Sequence, residues 1–273
     1  MIPAAFEYVR ASSVDEALAL LAEHGEDAKL LAGGHSLLPL MKLRLAVPSV
    51  LIDVGRLREL SFVDERDDHI AVGALTRHHD LDVSPVLRRE VPLLSAAAHS
   101  IGDPQVRHRG TLGGSLAHAD PASDLPAVAL ATRATLVVRG PAGERVIEAD
   151  DFFRGFLETA LEPGEILAEV RFPKLASAGW SFQKFTRRAQ DWAIVGVAAV
   201  RNGTAGVALV NMGSTPVRAA AVEQALASGA SVDEAASLAA EGTDPPGDLH
   251  AGPDFRAHLA RVLVRRALEE ASR

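Results

Sequence analysis

A pair of glycines at positions 33 and 34 provides the first candidate for binding chemistry. Ala32-Gly33-Gly34-His35-Ser36 comes at the end of a short apolar run, AKLLA, which predicts a strand. Glycines let successive backbone N–H groups converge on an anion, because no Cβ stands in the way. With the hydroxyl of Ser36 beside it, such a nest suits a diphosphate. The alternative interpretation is a tight turn without a ligand.

A second glycine pair repeats this chemistry further along the chain. Thr111-Leu112-Gly113-Gly114-Ser115 again combines glycines with hydroxyls, and Asp124 follows closely. Two such loops could hold one diphosphate from two sides; two unrelated turns are the alternative. Neither loop shows GxGxxG before a long helix, and GxxxxGK followed by serine or threonine is missing from the sequence. A Rossmann dinucleotide site and a P-loop are therefore not predicted.

The composition restricts which cofactor these loops could hold. The chain has no cysteine, which excludes disulfides, thiolate zinc sites and an iron–sulfur cluster held by this chain. A redox role would therefore need an organic cofactor. The formal net charge of −8 argues against a nucleic-acid-binding surface. None of the ten histidines forms HExxH spacing, so no metal site is predicted, although His35 stands out because it lies inside the first loop.

The elements around the first loop predict a small β-α-β lobe over residues 1–55. Ser13 and Glu16 have the spacing of a capping box at a helix start, and Gly25 marks the helix end. Strand-like runs follow on either side of the loop. From residue 56 to 176 the pattern changes to paired short strands and helices, including a predicted glycine turn at Gly113-Gly114, which indicates a second lobe.

A third unit is predicted from residue 177 to 273. Three strand-like segments open it, and Asn202-Gly203 between the last two is a strong hairpin signal. Pro216 to Leu226 is predicted as a helix. The final helix, Asp254 to Arg273, is predicted to place one apolar face inward, made of Phe255, Leu259, Val262, Leu263 and Ala267.

Four ordered motifs carry a resemblance to a known family. They are AGGHSLLPLMKLRL (32–45), IGDPQVRHRGTLGGSLAHADPASDLPA (101–127), FFRGFLETALEPGEIL (152–167) and KFTRRAQDWA (184–193). Together they resemble the FAD-binding medium subunit of the molybdenum hydroxylases, the xanthine dehydrogenase family, and most closely the aerobic carbon monoxide dehydrogenase type. The resemblance runs over essentially the whole chain. It implies non-covalent FAD in an α+β fold of the vanillyl-alcohol-oxidase-like (PCMH) type, with two lobes followed by a C-terminal domain of a small antiparallel sheet and helices.

The resemblance also assigns site residues. Both glycine loops would contact the FAD diphosphate and the adjoining ribityl or ribose groups, Ile101 would pack on the flavin, and Asp124 would accept a hydrogen bond from a sugar hydroxyl. Leu167 would make an apolar contact on the adenine side, and Lys184 would reach the cofactor. Trp192 would lie near the isoalloxazine ring; a core tryptophan is the alternative. The predicted contacts are Ala32, Gly33, Gly34, His35, Ser36, Ile101, Thr111, Leu112, Gly113, Gly114, Ser115, Asp124, Leu167, Lys184 and Trp192.

The resemblance implies an electron-transfer subunit without a catalytic acid or base of its own. FAD would take electrons from 2Fe–2S clusters on a small partner subunit and pass them to an external acceptor, while a large molybdopterin-binding subunit oxidises the substrate. The complex would be a dimer of heterotrimers. A free-standing FAD-dependent oxidoreductase with its own organic substrate is the alternative. Because the sequence shows no apolar run of about 20 residues and no signal-peptide pattern, a cytoplasmic protein without a membrane span is expected.

Overall fold

The N-terminal part of the chain forms a three-stranded parallel sheet. A computed structural model describes residues 2–273, so residue 1 of the predicted first lobe lies outside the described residues. The sheet has the order β1-β3-β2. Its elements are β1 (Glu7–Arg10), α1 (Val14–His24), β2 (Ala28–Leu31), α2 (Leu37–Lys42) and β3 (Val50–Asp53), with a 3₁₀ turn at Gly25–Asp27. Parallel pairing of β2 with β3 confirms the predicted β-α-β unit.

The ends of α1 form where the sequence places them. Ser13 Oγ accepts a hydrogen bond from the Glu16 N–H at 3.1 Å, and Gly25 ends the helix with φ at 54°. Only one bond of the predicted capping box differs. The Glu16 carboxylate accepts from the Ser12 N–H at 2.7 Å rather than from the Ser13 N–H, so the chain is held one residue earlier than the motif predicts.

A five-stranded antiparallel sheet, in the order β4-β5-β10-β6-β7, forms the second part of the chain. Its strands are β4 (Val63–Glu65), β5 (His69–Gly73), β6 (Thr135–Gly140), β7 (Gly143–Glu148) and β10 (Ile166–Pro173). A short pair, β8 (Phe153–Gly155) and β9 (Glu158–Thr159), stands apart from the sheet. The helices are α3 (His78–Val83), α4 (Pro85–Glu90), α5 (Pro92–His99), α6 (Pro104–Arg107), α7 (Leu112–His118), α8 (Asp124–Ala131) and α9 (Ala149–Phe152), with a 3₁₀ turn at Arg58–Leu60.

The C-terminal strands form a separate antiparallel sheet that lies between two apolar cores. Its elements are β11 (Gly179–Phe185), β12 (Val195–Asn202), β13 (Thr204–Val210), β14 (Val217–Arg218), α10 (Ala220–Ala227), α11 (Val232–Ser237) and α12 (Pro253–Glu270). Along β12, Ala198 and Val200 pack with α5 and α8, whereas Val197 and Ala199 pack with the C-terminal helices. Because strand residues alternate between faces, a fully apolar strand can serve both cores.

Helix α8 is the element that both main sheets enclose. All eight of its residues are buried, including the aspartate with which it begins. The helix packs against β12 and β13 as well as α5. A side chain at its first position is thus held in the interior between the central helices and the C-terminal sheet.

Two helices differ from their prediction. The chain from Pro216 is extended first, and α10 begins only at Ala220, because Val217 pairs with Leu209 to add an edge strand. In α12, Phe255 is exposed and Arg256 is buried in its place. The Arg256 guanidinium donates to Asp248 at 2.6 Å and to the Ile194 carbonyl, so its charge is paired inside.

The predicted α+β class, with two lobes and a C-terminal domain of small sheet and helices, is confirmed by these elements. Within residues 2–273, every helix is too short or too polar to cross a membrane.

Candidate cofactor-binding site

The first glycine loop connects β2 to α2 and leaves backbone donors available. Among the described residues, no acceptor is found for the N–H groups of Gly33 to Ser36. Gly34 has φ at 80°, a conformation that glycine adopts without a Cβ clash. Its carbonyl then accepts from the Leu38 N–H at 3.1 Å as the chain enters α2. Consecutive donors without a partner are what a phosphate-binding nest offers, while His35 is exposed beside them.

The second glycine pair lies in the first turn of α7 and not in a separate turn, so the predicted second nest is wrong in its donors. The Thr111 hydroxyl caps the helix by accepting from the Gly114 N–H at 3.1 Å. The N–H groups of Leu112 and Gly113 donate to the Thr76 and Ala74 carbonyls at 3.0 and 2.7 Å, and Ser115 donates to the Thr111 carbonyl at 3.0 Å. Any contact from this segment to a cofactor must therefore come from the hydroxyls of Thr111 and Ser115, or from the glycine backbone packing closely against the cofactor.

The two loops meet at one point. A Cβ added to Gly33 would lie 3.0 Å from Gly110 Cα and even closer to the Arg109 carbonyl oxygen. Only glycine allows this contact between backbones. Because Thr111 is the next residue along, the contact sets the first loop beside the start of α7. The predicted approach of two loops from separate lobes is therefore present in the structure.

Asp124, at the start of α8, and Lys184, in β11, form a buried ion pair. Lys184 Nζ lies 2.6 Å from Asp124 Oδ2 and donates to the Ser100 carbonyl at 3.2 Å. Asp124 is 5% exposed, and its Oδ1 has no hydrogen-bond partner among the described residues. Burial raises the pKa of Asp124 to about 6, although Lys184 opposes this. A buried acceptor without a donor suits a ligand hydroxyl.

The other predicted contacts lie in different surroundings. Ile101 follows Ser100 directly and packs, partly buried, at the edge of the central core. Leu167 lies in β10 and is 5% exposed, so it presents little surface to any ligand. Trp192 is 59% exposed, in the loop between β11 and β12, so the core-tryptophan alternative is wrong. Its loop is held by Asn211, whose side chain donates to the Ala193 carbonyl at 2.8 Å.

Three residues that form hydrogen bonds around the site lie outside the four sequence motifs. Arg77 donates to the Arg109 and Gly55 carbonyls, and the ring of His78 is within 3.0 Å of the Thr111 carbonyl. Asn211 also donates through its backbone to the Pro121 carbonyl at 2.8 Å. In the sequence, Arg77 and His78 belong to a polar run, TRHHD, and Asn211 follows an apolar strand. Their partners are backbone carbonyls, which leave no signal in residue type.

Family models match nearly the whole chain in two parts. Residues 4–175 match the FAD binding domain in molybdopterin dehydrogenase, and residues 180–271 match the CO dehydrogenase flavoprotein C-terminal domain. The carbon monoxide dehydrogenase medium chain of Hydrogenophaga pseudoflava is 43% identical over 99% of this chain and 98% of its own. The 6-hydroxypseudooxynicotine dehydrogenase complex subunit alpha of Paenarthrobacter nicotinovorans is 40% identical over 99% and 96%.

A solved structure has the same fold. Carbon monoxide dehydrogenase from Hydrogenophaga pseudoflava, in a form that lacks the Mo-pyranopterin moiety of the molybdenum cofactor, superposes with a TM-score of 0.96 at 45% identity, over 100% of this chain and 99% of that one. This confirms the expected fold. The unpartnered N–H groups of the first loop and the orphaned Asp124 Oδ1 fit a ligand that carries both phosphates and hydroxyls. The chain belongs to the FAD-binding flavoprotein subunits of the molybdopterin dehydrogenases, of the carbon monoxide dehydrogenase medium-chain type, and its cofactor is FAD.

Proposed function

We propose that this chain is an electron-transfer subunit. Electrons would arrive from 2Fe–2S clusters on a small partner subunit and leave to an external acceptor, and a large molybdopterin-binding subunit would oxidise the substrate. The whole complex would be a dimer of heterotrimers in the cytoplasm. When bound, FAD supplies the redox chemistry. The protein's own residues bind it, orient it and control access to it.

One observation carries this proposal: close relatives of the chain are named for dissimilar substrates. The two relatives described above are 43% and 40% identical to it, and their names refer to carbon monoxide and to 6-hydroxypseudooxynicotine. Because subunits this similar to the chain belong to enzymes with such different substrates, this subunit is not expected to select the substrate itself. The absence of cysteine from the sequence adds that iron–sulfur clusters, if used, must be on another chain.

The site residues divide into four proposed roles. The N–H groups of Gly33 to Ser36 bind the diphosphate, with Thr111 to Ser115 approaching from α7. Asp124 accepts a sugar hydroxyl through Oδ1, and Lys184 holds that carboxylate in place. Ile101 and Trp192 contact the flavin, where the exposed indole could stack and limit access of water. Ala32 adds apolar surface beside the first loop, and Leu167, which is nearly buried, offers at most a small contact on the adenine side.

The subunit proposal is tested by purifying a tagged full-length chain from its own cells. We expect a large molybdenum-containing and a small iron–sulfur subunit to copurify, with the mass of two heterotrimers by light scattering. In that complex, the substrate should bleach the flavin absorbance. The isolated, FAD-loaded chain should show no bleaching with the same substrate. Bleaching of the isolated chain as fast as in the complex would instead support a free-standing oxidoreductase.

The role of Asp124 predicts a dependence of FAD binding on pH. An ionised carboxylate is a stronger acceptor for a ligand hydroxyl than the protonated acid, so the dissociation constant of FAD should rise as the pH falls through about 6. The free energy of unfolding of the apoprotein should instead increase as the pH falls. The folded pKa lies above the ordinary 3.8, so protonation between about 6 and 3.8 relieves the cost of a buried charge and stabilises the apoprotein.

The measurement is a series of FAD titrations at decreasing pH, with urea unfolding of the apoprotein alongside. Asp124→Asn serves as the control, because an amide cannot titrate and should flatten both profiles in this range. An unchanged pH profile in Asp124→Asn would show that another group is responsible.

A further inference from the structure

Arg77 connects the two lobes through backbone carbonyls. It follows β5 and precedes α3, on the second lobe. One guanidinium nitrogen donates to the Arg109 carbonyl, and the other donates to the Gly55 carbonyl at 3.2 Å, next to the end of β3. Gly55 in turn approaches the first loop, since a Cβ there would lie 3.1 Å from the Ala32 carbonyl oxygen. A planar fork of donors is suited to hold two acceptors at a fixed separation.

His78 holds the next two residues of the same segment. Its backbone N–H donates to the Gly110 carbonyl at 3.0 Å, and its Nε2 lies 3.0 Å from the Thr111 carbonyl oxygen. Because a carbonyl can only accept, Nε2 must carry the proton. The ring is buried, and burial lowers the pKa of His78 to about 4, so the side chain is neutral near pH 7. It packs so closely on Gly110 that an added Cβ would lie 2.6 Å from ring Cε1.

We propose that Arg77 and His78 act together as a clamp that positions the two glycine loops for FAD. They hold Arg109, Gly110 and Thr111, and Gly33 of the first loop packs directly on the first two of these. The clamp therefore sets both the cap of α7 and the surface on which the first loop rests. Both are positioning residues and need not touch FAD themselves. This inference depends on the proposed assignment of the two loops to the diphosphate.

The clamp is tested with Arg77→Met and His78→Leu, which remove the donors but keep most of the bulk. Each full-length variant is titrated with FAD, and its apoprotein is unfolded in urea. We expect the FAD dissociation constant to rise about tenfold or more in each variant, since each loses at least one donor to a carbonyl that fixes a loop. His78→Gln should restore most of the affinity, because its amide nitrogen can donate from nearly the same place as Nε2.

Arg145→Met is the matched control. Arg145 also donates to a carbonyl, that of Ala160 at 2.7 Å, and pairs with Glu165 at 2.7 Å, but it lies in β7 away from both loops. Its loss should lower the free energy of unfolding and leave FAD affinity unchanged. A merely structural role for Arg77 would give this same result. Rescue by His78→Gln is the further readout, because restoring bulk alone, as leucine does, would not restore affinity.

The outcomes separate the clamp from the proposed site. If Arg77→Met and His78→Leu bind FAD as tightly as the unmodified chain, while Gly33→Val does not, the clamp is wrong and the site stands. If Gly33→Val also binds normally, the site assignment itself is wrong. Should Arg77→Met fail to fold, Arg77→Lys replaces it, because an ammonium group lacks the rigid planar fork that fixes the separation of the two carbonyls. Normal FAD binding by Arg77→Lys would then overturn the clamp.

Discussion

Replacing Gly33 with valine should abolish FAD binding under conditions where the unmodified chain is saturated. The added Cβ would meet the Arg109 carbonyl and Gly110 Cα, which are backbone atoms and cannot rotate away. The first loop must then move off the start of α7, and its free N–H groups lose their position. Losing even two hydrogen bonds to a phosphate corresponds to a hundredfold or greater drop in affinity, at about 1.4 kcal/mol per decade. A fluorescence titration with FAD measures the loss of affinity.

The matched control for this substitution is Gly247→Val. Gly247 lies in an exposed loop, where a new Cβ would make only an ordinary contact, 3.5 Å from Pro253 Cδ. FAD affinity should be unaltered there. Gly33→Ala keeps the test decisive if the valine variant does not fold, because the colliding atom is already present in alanine. Unchanged FAD affinity in Gly33→Ala would show that the contact between the loops is not needed for binding.

Local signals in the sequence predicted most of the elements. The cap at Ser13, the end at Gly25 and the hairpin at Asn202-Gly203 depend on residues within a few positions of one another, and all three are present. The fold class and cofactor followed from four motifs in order along the chain. What these signals share is that their physical cause lies in the chain next to them.

The second glycine pair shows why part of the site could not be predicted. Its pattern of residues is nearly that of the first, yet the N–H groups of Leu112 and Gly113 donate to the Thr76 and Ala74 carbonyls, which lie far away in sequence. Gly114 has no left-handed φ, and a Cβ there would meet only the Thr111 hydroxyl, at 2.6 Å. The first loop keeps its donors free. Tertiary partners, which residue type does not record, decide between a nest and a helix start.

The buried arginine of α12 has the same explanation. A helical pattern places polar residues outward, so it predicts Phe255 in the core and the neighbouring Arg256 in solvent. Its pairing with Asp248 comes from the loop before the helix, and its other partner is a carbonyl of the Trp192 loop. The exposed Phe255 packs instead on Phe185, with ring centroids 6.4 Å apart. The exposure of Trp192 likewise depends on a loop whose position the sequence leaves open.

Lys184→Met should be among the most destabilising substitutions in this chain. Methionine fills much of the space of the lysine stem but leaves the buried Asp124 carboxylate with neither of its oxygens paired. Removing one partner of a buried ion pair costs about 3–5 kcal/mol. Urea unfolding of the apoprotein measures the loss. The cost should shrink as the pH falls, because a protonated Asp124 no longer needs a cation. Since Lys184 lowers the pKa of Asp124, the variant should take up this proton at a higher pH than the unmodified chain.

Lys174→Met is the matched control, because the same change is made at the surface. Lys174 pairs with Glu65 at 3.1 Å, and both side chains are substantially exposed, so the loss should be under about 1 kcal/mol. The double variant Asp124→Leu/Lys184→Met separates stability from binding. Two apolar side chains should recover most of the free energy of unfolding lost in Lys184→Met, whereas FAD affinity should stay low, because the acceptor at Asp124 Oδ1 is gone. Equal losses from Lys184→Met and Lys174→Met would mean that solvent reaches the Asp124 pair and that its carboxylate is not held for the cofactor.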